Sequence, residues 1–181
     1  MITVGATLTD VAFHVCTALH HHGITAVLTG GSAATFYAPD AYQSRDLDFV
    51  ITAWVPDGER ALIAAGFRRE RDCYVHPDSP YPVEFPRGPL AVADDLITAW
   101  NTVRRDNELV HVLTPTDSVR DRLAAFLFWN DWSGLEQALA VADARADVSH
   151  DTVEAWCQRT GHAAKWAVFA DRHARRTRGP R

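Results

Sequence analysis

Short apolar runs alternate along this chain with longer segments whose apolar positions recur every three or four residues, and the two patterns predict different elements. From Thr9 to His22, the residues Val11, Phe13, Val15, Ala18 and Leu19 mix spacings of two, three and four, which leans toward a helix that Gly23 stops. Ile24 to Leu28 is a short β-rich run leading into Thr29-Gly30-Gly31-Ser32 and the helix formers Ala33 and Ala34, which predicts strand, tight turn and helix start. Ala38 to Arg45, with Pro39, Asp40 and Gln43, reads as a loop. Asp46-Leu47-Asp48-Phe49-Val50-Ile51 then alternates polar and apolar before becoming wholly apolar, the pattern of a strand whose first part faces two environments.

Pro56 to Ala65 predicts a helix ended by Gly66, and Phe67 to Phe85 holds two strand candidates, around Asp72 to His76 and Tyr81 to Phe85. Pro77, Pro80 and Pro82 make both edge-like, because proline cannot donate to a ladder. Leu90 to Trp100 reads as a helix and Glu108 to Leu113 as a strand. Thr114-Pro115-Thr116-Asp117 then supplies a hydroxyl cap, a first-turn proline and an acidic third residue ahead of Val119, Leu123, Phe126 and Leu127. Nearly everything from there to Arg176 reads as helix, broken near Trp132 to Gly134, near Asp147 to His150 and at Gly161, with a basic, frayed tail from Arg172 to Arg181. The expectation is an α/β domain over 1–113 and a helical C-terminal lobe over 114–181.

Composition narrows this picture. A length of 181 residues with 47% hydrophobic content fits one compact unit with two lobes. The formal charge of −5 argues against a surface coated for sequence-independent nucleic-acid binding, and leaves room for a local basic cleft. Lys165 is the only lysine, so positive charge is carried by arginine; forked contacts to phosphate or carboxylate and GC-rich coding both account for that. Cys16, Cys73 and Cys157 are too few and too scattered for a disulfide framework or zinc ribbon, which fits a reducing cytoplasm. No leader pattern or membrane-length apolar run is present, so the expectation is a soluble, unexported, cytoplasmic protein without a membrane partner.

The chemistry concentrates in one stretch. Side chains alternate faces along a strand, so Asp46 and Asp48 project to the same side, separated by roughly 6 to 7 Å. Two carboxylates fixed in this way can share divalent cations, and magnesium keeps coordination positions open for water or substrate phosphates. Gly30 and Gly31, lacking Cβ atoms, can bring backbone N–H groups close to a phosphate, the helix start adds partial positive charge, and Ser32 adds a hydroxyl. A triphosphate could then be held between that turn and the metals. Glu84, between Val83 and Phe85, is placed as a third ligand from a neighbouring strand or is an ordinary surface glutamate; Arg87 beyond it could meet phosphate charge. Arg45 either neutralises the acid pair or lies in solvent. The alternative for the pair itself is a solvated strand face beside a plain turn, which sits poorly with Phe49, Val50 and Ile51 carrying the strand into the core.

This order of glycine-glycine-serine turn, helix, loop, Asp-x-Asp strand and later apolar-flanked acid resembles the DNA polymerase beta-like nucleotidyltransferase superfamily over roughly Ile24 to Phe85. Gly30, Gly31 and Ser32 match the family's turn, Asp46 and Asp48 its paired metal ligands, and Glu84 its third carboxylate, with glutamate in place of aspartate. Within the superfamily, "GGSAATFY", "SRDLDFVI", "VEF" and the helical lobe opening "TPTDSVRDRLAAF" look most like the AbiEii-type, toxin-related bacterial branch. The resemblance implies an α/β (α+β) fold, a small mixed sheet with flanking helices plus a C-terminal helical lobe. It also implies a magnesium- or manganese-dependent enzyme moving a nucleotidyl group from a nucleoside triphosphate to a hydroxyl of RNA (tRNA), protein or a small molecule. A place in a toxin–antitoxin or phage-defence system, with a cognate antitoxin or partner protein, goes with that branch; a catalytically degenerate binding or regulatory module is the alternative. Arg122 and Asp131 are the nearest matches to the branch's lysine and downstream aspartate facing the nucleotide, with the lysine replaced and the spacing shorter.

Other residues read as structural. His20, His21 and His22 are expected to form a solvated helix end favoured by the helix dipole, with metal binding as the alternative. Phe126, Phe128, Trp129 and Trp132 are expected to pack in the core or between lobes, with one of them stacking on a base as the alternative. Ser118 and Ser133 lack the histidine and acid that would make either a nucleophile.

Overall fold

The computed structural model describes residues 2–53 and 58–178. Helix α1 (Leu8–His21) opens with a capping box: Thr7 Oγ1 accepts from the backbone N–H of Asp10 while the Asp10 carboxylate accepts from that of Thr7. Its apolar face, including Val11, Val15 and Leu19, is buried, and the His20–His22 run lies at its end as expected. Strand β1 (Thr25–Thr29), helix α2 (Gly30–Tyr37) and strand β2 (Leu47–Ala53) follow. Helix α3 (Gly58–Ala64) accounts for the predicted segment from Gly58 on; Pro56 and Asp57 lie outside the described residues. Short strands β3 (Arg68–Glu70), β4 (Cys73–Val75) and β5 (Val83–Glu84) occupy the proline-interrupted stretch.

The segment from Leu90 to Trp100 contradicts the helix expectation. It forms a small hairpin, β6 (Ala91–Val92) against β7 (Asp95–Leu96), turned through Ala93 at φ +51° and closed by the Ile97 N–H donating to Leu90 O. Leu90 and Val92 alternate into buried positions, and Leu90 packs with Val27, Val50 and Leu113, so burial at a period of two outweighs helix propensity. A further strand, β8 (Asn101–Arg105), was not expected; it pairs with β9 (Glu108–Val112) across the two-residue turn Asp106-Asn107.

Seven strands form one mixed sheet in the order β3-β4-β5-β2-β1-β9-β8. β1 runs antiparallel to β2 and parallel to β9, while β2 is parallel to β5. Strand alternation sends Ala26, Leu28, Leu47, Phe49 and Val83 into the main core, and Val27 and Val50 to the opposite face under the β6–β7 hairpin.

The C-terminal helices are α4 (Pro115–Trp129), α5 (Trp132–Ala144), α6 (His150–Arg159) and α7 (Ala163–Thr177). Thr114 caps α4 by accepting from the Asp117 N–H, and Pro115 takes the first turn. The first break falls earlier than expected, at Asn130 in the left-handed region (φ 56°) and the capping Asp131. The stretch from Arg172 is not frayed: α7 runs to Thr177, with Arg172 and Arg176 paired to Glu136 and Arg176 also to Asp143 on α5; residues 179–181 lie outside the described residues. Of the four aromatics expected in packing roles only Phe126 is buried; Phe128, Trp129 and Trp132 are 41%, 77% and 53% exposed because they sit at the α4–α5 corner. Ala33 and Ala34 of α2 share the main core with Leu123 of α4 and Leu135 of α5, which brings the glycine turn against the C-terminal helices.

Candidate active site

Register builds the site. Across the sheet Thr29 of β1 stands opposite Asp48 of β2, and Asp48 stands beside Glu84 of β5. Directly paired residues share a face, and because Leu47, Phe49 and Val83 point into the main core, Asp48 and Glu84 point away from it together. Asp46 lies one residue before β2, two positions from Asp48. Asp46 and Asp48 are half-buried and Glu84 is exposed.

Electrostatics register how close the three acids are. Burial first, then the charges of Asp46 and Glu84, push the Asp48 carboxyl up to about 6, against the partial relief of the Arg122 guanidinium. None of the three acids takes part in an ion pair among the described residues; Asp46 Oδ1 accepts instead from Ser44 Oγ (3.0 Å), whose backbone N–H donates to Thr35 Oγ1 (2.8 Å). Also among the described residues, no three His, Cys, Asp or Glu side chains converge closely enough to hold a metal ion by themselves. The donor chemistry nonetheless fits a hard cation: oxygen-only, crowded with like charge that a cation relieves, and left with a shell that other oxygens must complete.

The glycine turn abuts the acids directly. Gly30 has φ +64°, and a Cβ there would stand 2.8 Å from Asp48 Oδ2 and 3.7 Å from Arg122 Nη2, so the backbone favours glycine and any side chain would have to push the Asp48 carboxylate aside. Thr29, at the helix start, makes no side-chain cap, which leaves the first-turn N–H groups without a side-chain partner. Both glycines are themselves buried. Ser32 is placed differently from a ligand group: fully buried, its Oγ donates to Thr29 O (2.7 Å) and accepts from the Asp48 N–H (3.1 Å), which ties the turn to β2.

The basic and helical-lobe residues divide. Arg122 reaches the turn from α4, its Nε and Nη2 donating to Asp121 Oδ2 (2.9 and 2.7 Å) and its Nη1 to Gln137 Oε1 (3.4 Å). Asp131 is committed to capping α5, where its Oδ1 accepts from the Ser133 N–H (2.9 Å). Arg45 is exposed and unpaired among the described residues. Arg87 is not brought to the acids; it lines a cavity of about 550 Å³ with Leu19, Leu62, Tyr74 and Phe85, on the helix-covered side of the sheet. A second cavity of about 540 Å³ shares Glu84 with the site and is otherwise lined by Glu70, Arg71, Asp72 and Cys73.

Ser44, Asp121 and Gln137 were not singled out from sequence. Ser44 carried a local signal, a hydroxyl two residues before an expected ligand. Asp121 and Gln137 carried none, because only the packing of α4 and α5 on α2 brings them to the turn.

No protein-family model matches the chain, and no curated protein matches it. Solved structures do. An antigenic nucleotidyltransferase-like protein from Paracoccidioides brasiliensis aligns with a TM-score of 0.61 at 15% identity, over 79% of this chain and 78% of that one. The antibiotic-resistance factor ANT(2'')-Ia aligns with a TM-score of 0.52 at 15% identity, over 94% of this chain and 100% of that one. The fold is therefore that of the nucleotidyltransferases.

Proposed function

We propose that this chain is a metal-dependent nucleotidyltransferase that moves a nucleotidyl group from a nucleoside triphosphate to a hydroxyl acceptor. The observation that carries this reading is the row Thr29, Asp48, Glu84 in register across β1, β2 and β5, with the uncapped glycine turn at one end of it and Asp46 beside it. Within a nucleotidyltransferase fold, that row supports Asp46, Asp48 and Glu84 as the groups that would hold magnesium or manganese. A bound cation would supply charge neutralisation at the phosphates and a lowered pKa for the attacking hydroxyl. Gly30 and Gly31 would receive the triphosphate on backbone N–H groups, with Arg122 offsetting its charge. Glu84, the most exposed acid, is the group best disposed to accept the proton of the incoming hydroxyl.

The AbiEii-like branch and a toxin–antitoxin setting, supported by the sequence resemblance, belong to the same proposal. So do the boundary between an α/β domain over 1–113 and a lobe over 114–181, supported by the change of pattern at Thr114, and a cytoplasmic location, supported by the few scattered cysteines. RNA, protein and small-molecule hydroxyls are the acceptor classes to separate. The test incubates the protein with each labelled triphosphate, magnesium or manganese, and separate acceptor pools. Label on one pool, lost in Asp46→Asn and Asp48→Asn variants that remain folded, is the expected result. A degenerate binding module is the second reading, favoured by the lack of a closed three-ligand metal cage among the described residues. Triphosphate binding with no label on any pool would decide for it.

A further inference from the structure

Gln137 is a buried amide with no part in the acid cluster. It is 5% exposed on α5, a position that ordinarily takes an apolar residue unless both ends of the amide are satisfied. Both ends are. Its Nε2 donates to Ser133 Oγ one turn earlier (3.0 Å), and its Oε1 accepts from Arg122 Nη1 (3.4 Å). This orientation is self-consistent, since reversing the amide would set N–H donors against a guanidinium that has only donors. The same Oε1 lies 3.5 Å from where a Cβ on Gly31 would sit, so the amide occupies the space behind the glycine turn as well as the edge of the guanidinium.

Arg122 is consequently held on two edges. Asp121 takes Nε and Nη2, Gln137 takes Nη1, and between them the guanidinium is brought to 3.7 Å from the Gly30 Cβ position. An arginine so gripped loses little side-chain freedom on meeting an anion, whereas an untethered one must be ordered at that moment. We propose that Gln137 is a positioning residue: from α5 it fixes the Arg122 guanidinium over the Gly30-Gly31 turn for contact with the phosphates of a nucleoside triphosphate. This rests on the nucleotidyltransferase reading and adds to it a part of the nucleotide site contributed by α5.

The test is a double-mutant cycle read by calorimetric titration of magnesium–triphosphate into the full chain, with melting temperatures taken without ligand. Gln137→Met keeps the volume and removes the acceptor. It is expected to weaken triphosphate affinity about tenfold, the scale of second-layer effects on a bound group. In an Arg122→Ala background the same change is expected to do almost nothing, because a residue acting through another loses its effect when that other is gone. A purely structural role would lower the melting temperature and act alike in both backgrounds, and that result overturns the proposal. Undiminished affinity in Gln137→Met, or in Arg122→Ala, overturns it too while leaving the nucleotidyltransferase reading in place. Failure of the unsubstituted protein to bind any triphosphate defeats that reading itself. Should Gln137→Met not fold, the exposed Ser133→Ala loosens the amide from its other end; a two- to threefold loss of affinity is expected, and no loss overturns the proposal.

Discussion

The two faces of β2 obey opposite rules. Toward the main core, Leu47 and Phe49 are completely buried, and Phe49 stacks on Phe85 with ring centroids 6.2 Å apart. One residue away on the other face, Asp48 is held partly out of water beside Asp46 and Glu84, at the cost of raising its carboxyl to about 6. The first face gains free energy from each atom it hides; at Asp48 the second gives some back, although Val50 farther along it is buried among Val27, Leu90 and Leu113. Adjacent residues can be so different because a strand hands alternate side chains to separate environments. Burial that stabilises the fold thus lies one residue away from strain that Arg122 relieves in part and that a bound cation or a proton would relieve further.

Three changes test that contrast. Phe49→Ala should have the largest effect on stability, about 3–5 kcal/mol in urea unfolding, because a fully buried ring leaves a cavity. A loss under about 1 kcal/mol would mean the face is not the packed core described, since transfer alone exceeds that. Gly30→Ala comes next, at roughly 1–2 kcal/mol for a side chain in the left-handed region. Its Cβ also displaces the Asp48 carboxylate, so the affinity for manganese, followed by paramagnetic resonance, should fall further than stability does.

The smallest effect belongs to pH. The folded pKa of Asp48 lies above its ordinary 3.8, so between the two values the folded protein keeps a proton that the unfolded chain has released. Stability from this group is present below the unfolded value and is lost as pH rises through about 6. Asp48→Asn should remove that loss and make the metal-free protein about 0.5–1 kcal/mol more stable at neutral pH than the parent, after a discount for solvent screening at this half-exposed position. Parallel melting curves for the two proteins from pH 4 to 8 would show that Asp48 is not strained. Magnesium should stabilise the parent more at pH 7.5 than at pH 5, where the proton already neutralises the carboxyl.

Much of this arrangement was legible in the sequence. Alternation around Asp48, the glycine turn after β1 and the Thr114-Pro115 helix start each depend on residues within a few positions, where local geometry leaves few choices. The hairpin at Leu90 to Leu96 was misread because a short apolar segment fits either period, and its burial against Val27 and Val50 was decided by distant residues. Arg87 and Ser32 show a related limit: each has suitable chemistry beside the motif, yet the sheet turns one to its other side and the turn consumes the hydroxyl of the other.

By itself, then, the sequence determined that an acid-bearing strand, with a second acid just before it, lies next to a glycine turn, since strand period and glycine's missing Cβ are properties of the chain alone. Only the tertiary structure decided which neighbours complete that face. Glu84 arrives through the parallel register of β5 with β2, and Arg122 and Gln137 arrive through the packing of α4 and α5 on α2. Contacts between residues so far apart in the chain are fixed by how surfaces fit and bury one another, and no local pattern encodes that fit.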